Sequence, residues 1–191
     1  MGTDKVIFKA FLSSLAAIGV LILFIFGALC AFFPSTMMGL SYNLGMENSC
    51  IYFAERVYKD NNEIYFIAYA TEVAIEEDKS GKIISCGEAF IADDEFEEYC
   101  AFKGDAYKGL VCGKICVEKY KKGDKESAVA LAYQTLNGSF AEGNAMVALL
   151  FTANGLNDTE TIQAIKTKLN ELDLTDAEKS YLNDIYTIIN K

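Results

Sequence analysis

The sequence predicts an all-α protein: one N-terminal transmembrane helix followed by a short solenoid of αα-hairpins, about four helix pairs plus a capping helix. Three observations carry this. No charged residue occurs from Ala10 to Phe33. Beyond that run the apolar residues recur with a period near 3.6 and not 2. Helix-start signals then return at intervals of thirty-odd residues.

Residues 1–9 form a short tail with Lys5 and Lys9. Residues 10–33, at about 1.5 Å of rise per residue, make a helix of roughly 36 Å against a hydrocarbon core of about 30 Å. A cleavable signal peptide competes with this, but its apolar region is about 7 to 15 residues and ends in a small-x-small site; Ala28, Leu29, Cys30 and Ala31 match such a site poorly. A signal-anchor is therefore expected. Its orientation follows from the cations beside the span, because Lys and Arg resist translocation. Lys5 and Lys9 precede it, whereas the first cation beyond it in sequence is Arg56. The N-terminus is expected in the cytoplasm and the rest of the chain outside it, with a tethered cytosolic domain as the alternative.

Pro34, the chain's single proline, should end the span, and 34–44 is expected as a linker to a helical domain over 45–191. In that domain Cys50, Phe53, Ala54 and Val57 share one helical face. The following stretch carries aromatics and β-branched residues, yet its length favours a buried helix over a strand. Pairs of Asp, Asn, Ser or Thr with Glu three residues later suggest capping boxes at Asp60 and Glu63, Asp94 and Glu97, Ser139 and Glu142, Asn157 and Glu160, and Thr175 and Glu178. Helix starts also fit at Asp105 and Asp124. The expected helices are 45–59, 61–77, 80–92, 94–104, 106–121, 124–137, 141–155, 158–172 and 175–190, and their short connections require antiparallel neighbours. Second helices of successive pairs would begin near Asp60, Asp94, Asp124 and Asp158, at intervals of 34, 30 and 34 residues.

The segment Tyr120-Lys-Lys-Gly123-Asp124-Lys-Glu-Ser-Ala128, with a comparable turn at Gly155-Leu-Asn157-Asp158, resembles the tetratricopeptide repeat family, whose period is 34 residues. The likeness extends over about 45–172. It implies a solenoid acting as scaffold, adaptor or assembly factor at a membrane, with the first helices of the pairs lining the contact surface.

Composition narrows the chemistry. The chain has a net charge of −10 and no histidine, which argues against nucleic acid as a partner and removes the usual general base and commonest zinc ligand. No cofactor motif, phosphate loop or catalytic constellation is present, so no enzymatic activity is expected. The cysteines leave alternatives open. Cys86 and Cys100 fall at one level of an expected hairpin and suit one disulfide in an oxidising compartment; Cys112 and Cys116, at i and i+4, would extend them to a thiolate metal site; all of them as buried core thiols is the third option. The acidic clusters Glu76 to Asp78 and Asp93 to Glu98 fit solvated faces and helix first turns. The sequons at Asn137 and Asn157 overlap turn and cap positions. Among the aromatics, Tyr52, Tyr58, Tyr65 and Tyr69 are candidates to line a groove for a protein partner. A membrane-anchored thiol or metal protein, an enzyme, and a subunit recruited through its transmembrane helix remain rival readings.

Overall fold

The computed structural model describes residues 3–136 and 144–189, and every regular element among them is an α-helix. In chain order these are α1 (Thr3–Phe32), α2 (Pro34–Asn43), α3 (Glu47–Asn61), α4 (Ile64–Glu76), α5 (Ser80–Ile91), α6 (Phe96–Lys103), α7 (Asp105–Lys121), α8 (Lys125–Gln134), α9 (Ala145–Gly155), α10 (Thr159–Asn170) and α11 (Asp176–Ile189). The chain divides into two compact units, Met1–Asn62 and Glu63–Lys191.

In the first unit, α1 contains a 22-residue stretch, Phe11–Phe32, of mean hydropathy 2.8 with none of its apolar window buried. At about 1.5 Å per residue it is long enough to cross a hydrocarbon core. Helix α1 ends at Phe32, and after Phe33 comes Pro34, which occupies the first position of α2. That is where a fixed φ and a missing N–H do no harm. The stretch 34–44, expected as a linker, is thus mostly helix. It packs against α3 and buries Met37 and Ser41.

Pro34 leaves a problem behind it, because the carbonyl of Cys30 would ordinarily accept from the N–H of residue 34. Arg56, the chain's only arginine, supplies the donor: its guanidinium donates to the Cys30 carbonyl at 2.8 Å and to the Ala31 carbonyl at 2.7 Å. A cation at a helix C-terminus also complements the macrodipole. Arg56 is distant from the span in sequence but sits at its end in space.

The second unit is built from hairpins: α4 with α5, α7 with α8, and α9 with α10. Further packing joins α5 to α7, α7 to α9, α8 to both α9 and α10, and α9 to α11, while α6 rests on α7. This corrects the expected pairing of 45–59 with 61–77 and of 80–92 with 94–104; the hairpins are α2 with α3 and α4 with α5. One turn recurs at all four hairpins. A residue with positive φ (Gly45, Asp78, Gly123, Asn157) is followed by one whose N–H reaches back five positions. The bonds are Met46 to Ser41 at 2.8 Å, Lys79 to Ala74 at 2.9 Å, Asp124 to Lys119 at 3.1 Å and Asp158 to Ala153 at 2.9 Å. These are Schellman closures, which satisfy the last carbonyls of one helix while aiming the chain back along it.

Of the expected capping boxes, Thr175 with Glu178 is present: the Thr175 N–H donates to Glu178 Oε2 at 2.8 Å and the Glu178 N–H to Thr175 Oγ1 at 3.4 Å. Others shift. Asp60 lies inside the last turn of α3, whose chain leaves through Asn62 in the left-handed region. Asp93, not Asp94, accepts the Glu95 N–H. Asp158, not Asn157, caps α10 through the Thr161 N–H at 3.1 Å. Ser139 and Glu142 lie outside the described residues, and α9 is capped by Asn144, which accepts from the Val147 N–H at 3.0 Å.

The core of this unit includes Ile67, Ile83, Phe90, Ile115, Leu149 and Ile165, each at most 2 % exposed. Helices α5 and α7 cross closely at Gly87, where an added Cβ would fall 2.4 Å from Ile115 Cδ1 and 2.5 Å from Cγ1.

Candidate partner-binding surface

Helix α7 packs against α5, α6, α8 and α9, and polar bonds fix it on several sides. Near its start, the Tyr107 hydroxyl donates to Glu72 of α4 at 2.7 Å, and Lys103 of α6 meets the same carboxylate at 3.0 Å. Burial, then the bond to Glu72, drive the Tyr107 hydroxyl far above the ordinary tyrosine range, so it remains a neutral donor. Near its end, the well-buried Lys119 side chain is paired with Glu88 of α5 and with Asp124 at 3.4 Å. One residue on, the Tyr120 hydroxyl donates to Asp158 of the next hairpin at 2.6 Å. Asp158 also takes Lys125 at 2.5 Å and the Thr161 hydroxyl at 2.8 Å, so one carboxylate ties α7, α8 and α10. The bond from Lys125, then those from Tyr120 and Thr161, hold it well below the usual carboxylate range.

Held this way, α7 turns one stripe outward. Gly109, Leu110, Gly113, Lys114 and Val117 follow helical spacing and, with Ala148 and Thr152 of α9, line a groove of about 340 Å³. Its floor is low because its residues are small: a Cβ on Gly113 would meet the Ala148 Cβ at 3.4 Å and the Ala145 Cα at 3.6 Å. Leu110 is 59 % exposed on its edge, and Leu156, four residues beyond Thr152, is also exposed. Lys114 is the one charged residue lining it. Small residues in a helical groove permit a further helix to approach closely. A larger recess of about 650 Å³ between α8 and α10 is lined by Lys125, Glu126, Glu160 and Lys168; its two cations are already paired within the protein, Lys125 with Asp158 and Lys168 with Glu171.

No family model, curated protein or solved structure matches the chain.

The tyrosines expected at a partner surface fall into both units. Tyr52 and Tyr58 are on α3, Tyr65 and Tyr69 on α4; Tyr52 and Tyr65 are exposed, Tyr58 and Tyr69 half-buried. Tyr52 stacks edge-on against Phe53 with centroids 5.2 Å apart, and Tyr65 against Phe66 at 5.7 Å. The α7 and α9 stripe was missed in the sequence; the signal was Gly109 and Gly113 four residues apart beside Leu110 and Val117.

All six cysteines are thiols, including Cys86 and Cys100, and the five beyond α1 are buried. Burial pushes Cys100 up to about 11 and Cys116 to about 12; Cys112 rises to about 12 through burial and then the neighbouring Cys100. A thiol kept protonated is a poor nucleophile and a poor metal ligand. Among the described residues no three Cys, Asp or Glu side chains are grouped to hold a metal. The acidic clusters serve turns: Asp78 is the left-handed residue closing the first hairpin of the second unit, and Asp93 accepts a backbone N–H. Asn157 forms the turn before α10; Asn137 lies outside the described residues.

Proposed function

We propose that the protein is a membrane-anchored interaction module, with α1 as a single span and the α7 and α9 groove as the seat for an amphipathic helix of a partner protein. The groove is the observation that carries this: an apolar, glycine-floored channel with one cation, on an otherwise acidic chain. Its shape favours a helix presenting small and aliphatic residues, with a carboxylate placed for Lys114. A scaffold or assembly role follows from such a seat on a membrane-anchored chain. Support for a tetratricopeptide-like arrangement comes from the shared Schellman turn, from its 34-residue spacing between Gly123 and Asn157, and from the packing of α7 on α9 with α8 on α10. In the same scheme Tyr120 and Ala128 are buried and Gly123 takes φ of 92°, as the resemblance requires of those positions. Lys5 and Lys9 favour a cytoplasmic N-terminus and an extracytoplasmic second unit.

The test is co-purification from membranes solubilised in mild detergent, comparing Gly113→Leu and Leu110→Asp with Phe102→Asp. Phe102 is 86 % exposed on α6 and outside the groove. Loss of a stoichiometric partner with the first two variants and retention with the third is expected. Equal retention in all three would overturn the groove as the seat.

A further inference from the structure

We propose that the hairpin of α2 and α3 is a second membrane contact, lying in the headgroup region of the bilayer that α1 crosses, with Arg56 clamping it to the end of the span. This rests on α1 being a span, and it adds a lipid-facing surface beyond residues 10–33.

The uncharged stretch does not stop at Phe33. It continues through α2 and its turn as far as Met46, and Glu47 is the first charged residue after Lys9. Within this extension the exposed side chains are mostly apolar or aromatic, with Ser35, Thr36 and Asn43 as uncharged polar exceptions. Phe32 and Phe33 are 76 % and 56 % exposed, Tyr42 64 %, Leu44 63 %, and Leu40 and Met46 are also exposed. A soluble hairpin of this size would ordinarily carry charged residues on its exposed face, and this one carries none from Phe32 to Met46. Tyr combines an apolar ring with a hydroxyl, and such residues are enriched where hydrocarbon meets water.

Continuity with the span selects lipid as the occupant. Only Phe33 separates α1 from α2, and at about 1.5 Å per residue no part of α2 is more than about 15 Å from the end of α1. The headgroup zone on each side of the core is about 5 to 8 Å deep, so a hairpin tilted onto the surface places the whole exposed face within it. Pro34 permits that tilt, because it breaks the hydrogen-bond ladder at the boundary. The Arg56 bonds to the Cys30 and Ala31 carbonyls then return α3 to the same level. The hairpin's two cations, Arg56 and Lys59, are outnumbered by Glu47, Glu55 and Asp60, so the contact is driven by apolar insertion and a zwitterionic surface suffices.

The chain has no tryptophan, so single Trp substitutions report position without background. The full chain carrying Tyr42→Trp, Leu44→Trp or Phe24→Trp would be reconstituted in phosphatidylcholine vesicles whose acyl chains are brominated either near the headgroup or near the chain end. Circular dichroism establishes that each variant is folded. Trp at 42 and at 44 is expected to lose emission to shallow bromines more than to deep ones, and Trp at 24 to lose emission to the acyl-chain bromines. Quenching at 24 with none at 42 or 44 overturns the interfacial hairpin and leaves the span intact. An unquenched, blue-shifted Trp at 42 or 44 overturns it in favour of a protein covering that face. Absence of quenching at 24 removes the span itself and the hairpin contact with it.

Discussion

Asp158→Ala tests how the second unit is held together, because a single carboxylate there serves three helices. The substitution removes the α10 cap, which costs about 1 kcal/mol. It also leaves the Tyr120 hydroxyl, on a residue only 3 % exposed, without its acceptor, a further penalty of about 1–3 kcal/mol. The expected total is about 2–4 kcal/mol. Asp158→Asn keeps an oxygen for the Thr161 N–H and should lose less, and Tyr120→Phe in the Asp158→Ala background should recover part of the loss by removing the stranded hydroxyl. The same carboxylate gives a pH signature. Its folded pKa lies below the unfolded value of about 3.9, so its contribution is complete above that value and is lost as pH falls through it toward the lowered one. Urea titration of the full chain in detergent micelles, followed by far-ultraviolet circular dichroism, measures each variant. Asp158→Ala within about 0.5 kcal/mol of the parent, or a loss unchanged by adding Tyr120→Phe, would refute the three-helix tie.

Gly87→Ala should destabilise by about 1–3 kcal/mol in the same titration, since Ile115 is fully buried and has little room to retreat from the new methyl group. Arg56→Ala should cost about 1.5–3 kcal/mol through loss of charged hydrogen bonds to two carbonyls; faster hydrogen exchange of α3 amides, with those of α10 unchanged, is the measurement. Cys100, Cys112 and Cys116 should resist a water-soluble disulfide reagent at neutral pH in the folded chain and react once it is unfolded in urea, because burial holds them protonated.

Helix positions were legible because they depend on local signals. The expected 80–92 and 106–121 differ from α5 and α7 by one residue at a boundary, and Thr175 with Glu178 announced α11 outright. Pairing was less legible, for a physical reason. Asp followed by Glu three residues later occurs by chance in an acidic chain, and at Asp60 it falls inside a helix. The hairpins are instead set by left-handed residues just before a helix start, and only Gly45 and Gly123 among these are glycines; Asp78 and Asn157 look like ordinary polar positions. Helix α6 also lengthens the chain between the Asp78 and Gly123 turns, which hides the repeat. Arg56 illustrates the limit of sequence distance. Counted along the chain it is remote from the span, yet the α2 and α3 hairpin returns it to the Cys30 carbonyl that Pro34 leaves open and to the neighbouring Ala31 carbonyl.

The central claim is that the α7 and α9 groove seats a partner helix in the membrane-anchored protein. Site-specific photo-crosslinking in intact membranes tests it most directly, with the probe placed in turn at Leu110, Lys114, Val117 and Thr152, and at Lys122, Glu126 and Gln163 outside that stripe. Adducts of one size from the four groove positions, absent from the three others and abolished by Gly113→Leu, are the predicted result. Adducts that ignore this helical pattern, or that survive Gly113→Leu, would contradict it.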